Sequence, residues 1–261
     1  MWAKVKRYFR FLLTPVPNPE KWLFIGGCPN SGTTLLHEIL AQHEDIGSMP
    51  KEGQFCTDQL ISPYKIGVSR IWIQKIEHFY LDESSLPNIN VRRLKKQWAV
   101  HYNDRSKPIL MEKSPTNAVR LKWMQKEFQP AYFIGIYRNG YAVSKGIADK
   151  ANCSIEIAAE QWLRSNEIML RDFEALEHKL LISYEEFTNE PIAVMNRITT
   201  FLGINAFQDQ NLSRSYLIQG KRRRIENLNA QNIQQLLPHE IASINRIAGR
   251  LFTKLKYDIL D

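Results

Sequence analysis

A segment rich in glycine and hydroxyl side chains carries the clearest chemical signal in the chain. It reads Gly27-Cys28-Pro29-Asn30-Ser31-Gly32-Thr33-Thr34, and it joins a short apolar run to a helical pattern. A loop between a strand and a helix directs backbone N–H groups and the positive end of the helix dipole toward an anion. The sequence therefore predicts a phosphate-binding loop over 27–34.

Nucleoside triphosphatase loops differ from this segment at one position. In those loops the second glycine is followed by Lys and then by Ser or Thr, whereas Gly32 is followed by Thr33 and Thr34. A small-molecule kinase of the P-loop class also needs an acidic residue at a strand end to manage magnesium. The apolar run that ends at Tyr137 is followed by Arg138 instead. The kinase hypothesis is therefore kept only as an alternative.

The elements that must position this loop follow from apolar runs and helical patterns. Buried strands are predicted at 21–27, 109–111, 131–137 and 180–182, and helices at 32–43, 154–177, 191–202 and 232–255. Strands that alternate with helices favour a parallel sheet covered on both faces. We therefore predict an α/β fold with a P-loop-like doubly wound parallel sheet, flanked by helices, in a single domain.

The domain boundaries are predicted from residues that interrupt helices and strands. A proline cluster over 15–19 precedes the first strand. We expect a helical N-terminal extension over 1–20 and one domain over 21–261. Residues 59–102 are rich in Ile, Trp and Lys, and we expect them to be helical and to build an acceptor pocket over the sheet.

Composition restricts the class of partner and the compartment. The 261 residues contain 35 Lys and Arg against 27 Asp and Glu, which gives a formal net charge of +8. Partners with negative charge are therefore favoured, such as a nucleotide, a nucleic acid or an anionic membrane. The three cysteines lack paired spacing, so we expect no metal site, no disulfide framework and a cytoplasmic location. Basic residues interrupt the N-terminal apolar residues, so we expect no stable membrane association.

Several segments together resemble one known family. Ser31-Gly32-Thr33-Thr34 after an apolar strand is similar to the 5'-phosphosulfate loop of the sulfotransferases that use 3'-phosphoadenosine 5'-phosphosulfate (PAPS). The match extends from about Trp22 to Gly203, and its segments follow the family's order. The other matching segments are Glu112-Lys113-Ser114-Pro115, Ile136-Tyr137-Arg138-Asn139-Gly140, Ile182-Ser183-Tyr184-Glu185-Glu186-Phe187, Glu190-Pro191 and Phe201-Leu202-Gly203-Ile204.

This resemblance implies an activity and a set of roles. The chain would move a sulfuryl group from PAPS to a hydroxyl or nitrogen of a small-molecule or carbohydrate acceptor, without a metal, and leave adenosine 3',5'-bisphosphate (PAP). The 5'-phosphosulfate would be held by the loop residues Asn30, Ser31, Gly32, Thr33 and Thr34. Arg138 would pair with the 3'-phosphate, to which a guanidinium is well suited.

The family's loop usually carries Lys or Arg two residues before the glycine, where this chain has Asn30. An amide brings no charge, so either another cation stabilises the bridging oxygen, for which Lys113 is the candidate, or the reaction is slower.

The family also places a serine eight residues after the phosphate arginine, a position that Gly146 occupies here. Ser144 is a candidate substitute, although at about 100° per residue the two positions lie roughly 160° apart on a helix. The alternative is that Gly146 offers only backbone and that the basic run supplies the missing contacts.

Two further segments have two alternative roles each, one of which is a contact with the nucleotide. The basic run Lys221-Arg222-Arg223-Arg224 is either a loop that closes over the nucleotide, through Lys221 and Arg222, or a solvated charged turn. Tyr184 is either an adenine contact or a core tyrosine. No aromatic residues alternate with the basic run, which disfavours nucleic acid as a partner. An inactive nucleotide- or nucleic-acid-binding protein of the same fold is the second alternative.

Glu52 is the candidate general base. The segment over 47–55 resembles the part of carbohydrate sulfotransferases in which a glutamate, shortly before an aromatic residue, removes the acceptor proton. An attacking hydroxyl must lose its proton as the bond to sulfur forms, and a carboxylate near the phosphate loop could accept it. The histidines His37, His43 and His101 are rival bases.

Overall fold

Five parallel strands form the central sheet of the protein. The structure is a computed structural model that describes residues 11, 13–207, 212–218 and 220–261 of the chain. The strands are β1 (Lys21–Gly26), β2 (Ile46–Ser48), β3 (Ile109–Lys113), β4 (Ala131–Tyr137) and β5 (His178–Ser183). They lie in the order β2-β3-β1-β4-β5. The direction of winding therefore reverses beside β1, as in a doubly wound sheet.

Helices connect and cover these strands. They are α1 (Thr33–Leu40), α2 (Val91–Ala99), α3 (Leu121–Glu127), α4 (Gly140–Ala151), α5 (Ile155–Phe173), α6 (Tyr184–Asn189), α7 (Pro191–Leu202), α8 (Asn229–Ile233) and α9 (Pro238–Leu255). A two-stranded antiparallel hairpin, β6 (Tyr216–Ile218) and β7 (Lys221–Arg223), lies between α7 and α8 in sequence. None of the helices among the described residues is long and apolar enough to cross a bilayer.

The alternation of side chains along β1 builds a separate core on each face of the sheet. Leu23 and Ile25 are buried in one cluster with residues of α1 and α7. Trp22 and Phe24 are buried in another cluster, which includes residues of α2, α3 and α5. A fully buried side chain of this size contributes roughly 1.5–3 kcal/mol, so both faces stabilise the central strand. The prediction of a doubly wound α/β sheet is confirmed.

The predicted helical content of 59–102 is wrong for most of that segment. Its only α-helix in the described chain is α2, and the rest consists of 3₁₀ turns at Pro63–Ile66 and Trp72–His78 with irregular backbone. Asn90 begins α2 by accepting a hydrogen bond from Arg93 N (2.9 Å). Prolines and a left-handed glycine, Gly67 (φ 75°), interrupt the chain before it.

The boundaries of two other predicted helices differ from the structure. The helix predicted over 154–177 ends at Phe173, because His178 already pairs with Tyr132 in the sheet. The helix predicted over 232–255 begins at Pro238, which suits a first helical position because its ring fixes φ. Most of the extension expected over 1–20, namely 1–10 and 12, lies outside the described residues.

Parallel strands bring the ends of β1, β3 and β4 to one edge of the sheet. Ile25 pairs with Lys113 and Gly26 pairs with Gly135. The phosphate loop, the segment after Lys113 and the segment that begins with Arg138 therefore leave the sheet side by side. Ligands in open α/β sheets bind beyond this edge, at the reversal of winding.

Candidate active site

The loop after β1 has the geometry of an anion site. Gly32 adopts a left-handed backbone conformation (φ 96°), and a Cβ at this position would come within 2.7 Å of Tyr184 Cδ2. The position therefore requires glycine. Helix α1 begins directly after it, and no side chain of the described residues caps its first turn. The first N–H groups of α1 are available to an anion.

A pocket of about 450 Å³ opens at this loop, and we call it the nucleotide pocket. Gly32, Thr33 and Thr34 contribute to its wall. The charged side chains that line it are mostly basic, namely Arg138, Lys150, Lys221, Arg223 and Arg224, with Asp149 and Glu226 as the acidic ones. This excess of positive charge suits a ligand that carries several negative charges.

Arg138 lies at the end of β4 with its hydrogen-bonding capacity incompletely used. Nη1 donates to Asn30 O (2.9 Å), Nε donates to Asn229 Oδ1 (2.7 Å), and the guanidinium lies 4.0 Å from the ring centre of Tyr184. Burial lowers the pKa of Arg138. Its buried Nη2, like Ser31 Oγ, has no hydrogen-bond partner among the described residues. A buried charged donor of this kind is costly unless an anion satisfies it.

Tyr184 joins the phosphate loop to the chain that follows the hairpin. Its hydroxyl donates to Glu226 O (2.8 Å) and accepts from Leu228 N (3.2 Å). Its ring is buried and lies against both Arg138 and Gly32. Tyr184 is therefore a packed core residue that also forms part of the wall of the nucleotide pocket.

A second pocket of about 300 Å³, which we call the acceptor pocket, adjoins the first. Asn30, Thr33 and Thr34 line both pockets. The phosphate loop is therefore the place where the two pockets meet. The remaining lining residues of the acceptor pocket are Pro29, Glu52, Gln54, Phe55, Pro63, Tyr64, Ser69, Arg70, Trp72 and Pro115.

An ion pair lies at this junction. Lys113 Nζ is 3.2 Å from Glu52 Oε1, and it also donates to Thr34 Oγ1 (3.2 Å). Gln54 Nε2 donates to Glu52 Oε2 (2.6 Å). The carboxylate is therefore fixed at both oxygens beside the phosphate loop, in a position to accept a proton from a group that enters the acceptor pocket.

The backbone next to Glu52 is held by buried side chains. Gly53 N donates to Glu112 Oε1 (2.7 Å), and Trp98 Nε1 donates to Gly53 O (3.0 Å). Asn117 Nδ2 donates to the other carboxylate oxygen of Glu112 (2.5 Å). These contacts join β3 to the segment after β2, so the position of Glu52 depends on the buried carboxylate of Glu112.

We expect Gly53→Ala to lower the free energy of unfolding by about 1–3 kcal/mol, the usual cost of overpacking a buried site. The new Cβ would lie 2.7 Å from Glu112 Cγ. Urea unfolding of both proteins measures the change. As a control, a Cβ at Gly249 in α9 meets nothing within 4 Å, and Gly249→Ala should add roughly 0.5–1 kcal/mol. Equal destabilisation by both substitutions would contradict this account.

A match to a family model shows to which protein family the chain belongs. Residues 23–209 match the model of the sulfotransferase family. The chain belongs to the sulfotransferase family. The matched residues include Glu52, Lys113 and Arg138 and all three residues that line both pockets, Asn30, Thr33 and Thr34.

Two curated relatives of this sulfotransferase-family chain are protein-tyrosine sulfotransferases. Protein-tyrosine sulfotransferase A of Caenorhabditis elegans is 24% identical over 245 residues, which are 88% of this chain and 62% of the relative. Protein-tyrosine sulfotransferase 1 of Danio rerio is 26% identical over 195 residues, which are 70% of this chain and 53% of the relative. The chain thus spans little more than half of the curated relatives it matches.

A solved structure agrees with the family assignment at the level of the fold. The sulfotransferase domain of the Synechococcus PCC 7002 olefin synthase superposes with a TM-score of 0.65 and 20% identity, over 94% of this chain and 97% of that domain. The architecture of this sulfotransferase-family member is therefore shared by a domain of similar extent.

Three residues predicted to bind the nucleotide, Ser31, Ser144 and Arg222, are not among the residues that line its pocket. Ser144 in α4 is buried, and its hydroxyl has no partner among the described residues. The pocket wall contains Gly146 instead, as the helical geometry of α4 requires. Arg222 is exposed and is not part of the wall, whereas Lys221 and Arg223 are. Alternate residues of a strand face opposite sides, which explains why Arg222 differs from its neighbours.

Two basic residues outside the predicted site, Arg70 and Lys150, lie at the phosphate loop. Asn30 Oδ1 accepts hydrogen bonds from Arg70 Nη1 (3.2 Å) and from Lys150 Nζ (2.9 Å). Lys150 is four residues after Gly146 on α4, so helical spacing could have indicated it. Arg70 lies in irregular backbone with a left-handed conformation (φ 67°), for which the sequence offers no periodic signal.

Proposed function

We propose that this protein is an enzyme that transfers a sulfuryl group from PAPS to the hydroxyl of an acceptor. The observation that supports this function best is the meeting of two pockets at one phosphate loop, beside a fixed carboxylate. Asn30, Thr33 and Thr34 line both pockets, and Glu52 lines the acceptor pocket. A donor on one side and an acceptor on the other would place the sulfur between them, which converts the reaction into an intramolecular one.

The nucleotide pocket supports PAPS as the donor. The buried Nη2 of Arg138 and the Oγ of Ser31 lack partners in the described chain, and anionic oxygens of a bound nucleotide would satisfy them. We assign the loop over Asn30 to Thr34 to the 5'-phosphosulfate and Arg138 to the 3'-phosphate. Lys221 would contact the nucleotide from the hairpin.

The acceptor pocket supports a hydroxyl compound with an apolar body. Phe55, Tyr64 and Trp72 line it together with Glu52, and its volume of about 300 Å³ holds a small molecule or the end of a carbohydrate. Glu52 would accept the hydroxyl proton as the oxygen bonds to sulfur. Among the described residues, Cys28, Cys56 and Cys153 form no disulfide bond, which supports a cytoplasmic location for this reaction.

A screen with sulfur-labelled PAPS tests this function. The purified protein would be incubated with labelled PAPS and a panel of hydroxyl acceptors, namely phenols, sugars, aliphatic alcohols and a tyrosine peptide, the last because the curated relatives are named protein-tyrosine sulfotransferases. We expect label to appear in at least one small-molecule or carbohydrate acceptor, with release of PAP in equal amount. Label only in the tyrosine peptide would contradict the proposed acceptor class. Cleavage of ATP in place of PAPS would contradict the reaction.

We expect the affinity for PAP to fall as the pH is raised from about 7 to about 9, because Lys150 loses its proton. Above the pKa of Lys150 the decrease in affinity should approach tenfold per pH unit. Lys150 is largely exposed, yet its ammonium lies against Asn30 in the nucleotide pocket. Desolvation there, with repulsion from Arg70 and Arg138, lowers the pKa of Lys150 to about 8.

A bound phosphate favours the protonated amine, so it raises this pKa and binding takes up a proton. Affinity is therefore full below pH 8 and is lost above it. Calorimetric titration of PAP at several pH values measures the effect, and Lys150→Met should remove most of the dependence. An unchanged pH profile in that variant would show that another group is responsible.

A further inference from the structure

Asn30, one of the three loop residues that line both pockets, carries no charge. Asn30 is neutral, adopts a left-handed conformation (φ 67°) and has a buried Nδ2 without a partner in the described chain. Its Oδ1 nevertheless accepts from two cations, Arg70 and Lys150. Two positive groups that converge on one neutral amide repel each other, and an anion between them would remove that repulsion.

Arg70 reaches the loop from the acceptor side. It lines the acceptor pocket, whereas Lys150 lines the nucleotide pocket. Their shared contact at Asn30 therefore marks the border across which a sulfuryl group would pass. Glu52 lies on the same side as Arg70 and interacts with it electrostatically.

Arg70, unlike Lys113, forms no close ion pair with a carboxylate among the described residues. Lys113 forms a close ion pair with Glu52 (3.2 Å), whereas the salt bridges found in the described part of the chain do not include Arg70. Arg70 also holds a left-handed backbone conformation (φ 67°) that is strained for a residue with a Cβ. Such strain is typical of positions where function fixes a side chain.

We infer that Arg70, in place of the Lys113 that the sequence suggests, supplies from outside the loop the positive charge that Asn30 lacks, and that it contacts the 5'-phosphosulfate at the bridging oxygen, because Lys113 is already paired with Glu52. This inference rests on the proposed function. The acceptor oxygen forms a bond to sulfur, the bond between sulfur and the bridging oxygen breaks, and its electron pair stays on that oxygen as PAP forms. The acceptor proton passes to Glu52. A guanidinium beside the bridging oxygen stabilises the charge that develops there.

The test compares nucleotides that differ in one phosphate. Arg70→Gly keeps the left-handed backbone without strain, because glycine adopts it readily, so the variant is expected to fold. We expect it to weaken binding of PAP and of adenosine 5'-monophosphate by about tenfold or more, the usual cost of a charged hydrogen bond, and to leave adenosine 3'-monophosphate unchanged. Calorimetric titration measures all three, and Arg92→Gly, at an exposed position of α2, is the control substitution.

Rescue separates a direct charge from a structural role. Asn30→Lys placed in the Arg70→Gly background, or methylguanidinium added to Arg70→Gly, should restore most of the lost PAP affinity. An Arg70→Gly variant that binds PAP within twofold of the natural protein, or that loses adenosine 3'-monophosphate equally, would overturn the inference and leave the proposed function standing. Failure of the natural protein itself to bind PAP would overturn both.

Discussion

Glu52→Gln is expected to lower the rate of sulfuryl transfer by about 10²- to 10⁴-fold, the usual contribution of a general base. The amide keeps the shape of the side chain but cannot accept the proton of the acceptor hydroxyl. Glu52 lies outside the nucleotide pocket, so the affinity for PAP should stay within a few-fold. Single-turnover kinetics with labelled PAPS and calorimetry with PAP measure the two quantities.

The control for this substitution is Glu44→Gln, at an exposed position just before β2. It should change neither quantity. Near-normal turnover in Glu52→Gln, under conditions in which chemistry limits the rate, would remove Glu52 from the mechanism. The rival bases His37, His43 and His101 would then need reconsideration, although none of them lines the nucleotide or the acceptor pocket.

Arg138→Ala is expected to weaken PAP binding by about tenfold to over a hundredfold and adenosine 5'-monophosphate binding far less. The reason is that Arg138 is assigned to the 3'-phosphate, which the monophosphate lacks, and a charged hydrogen bond of this kind contributes about 1.5–3 kcal/mol. Calorimetric titration of both nucleotides measures the difference.

Arg138 also contacts Asn30 O and the ring of Tyr184, so its loss could disturb the loop itself. The comparison of two nucleotides separates these effects, since a distorted loop would weaken both. Arg164→Ala, at an exposed position of α5, controls for the loss of a surface charge. Equal losses for both nucleotides would assign Arg138 to another part of the ligand.

The sheet and the phosphate loop could be predicted from sequence because their signals are local. Apolar runs that end in glycine or arginine marked β1 and β4, and the run of Ser31 to Thr34 marked the loop. The parallel sheet then determines the rest, because strand ends that are far apart in sequence meet at one edge. Lys113 and Glu52 are 61 residues apart and form an ion pair.

The remaining part of the site depends on tertiary contacts that leave no periodic pattern. Arg70 lies in irregular backbone between 3₁₀ turns, where neither helical nor strand spacing applies. The composition of residues 59–102 predicts helix, but packing of Trp72 and Phe79 in a small separate core stabilises short turns there. The hydroxyl of Ser144 suggests a phosphate contact, but α4 begins at Gly140, so that Gly146 lines the pocket instead.

A PAPS site at the phosphate loop predicts which ligands stabilise the protein against thermal unfolding. The protein would be heated alone, with PAP, with ADP and magnesium, and with an oligonucleotide. A ligand at 100 times its Kd adds about 2.7 kcal/mol of stability, which is a rise in Tm of about 5–10 °C for a domain of this size. We expect this rise with PAP and little or none with the other two. A larger rise with ADP and magnesium, or with the oligonucleotide, would show that the phosphate loop is not a PAPS site.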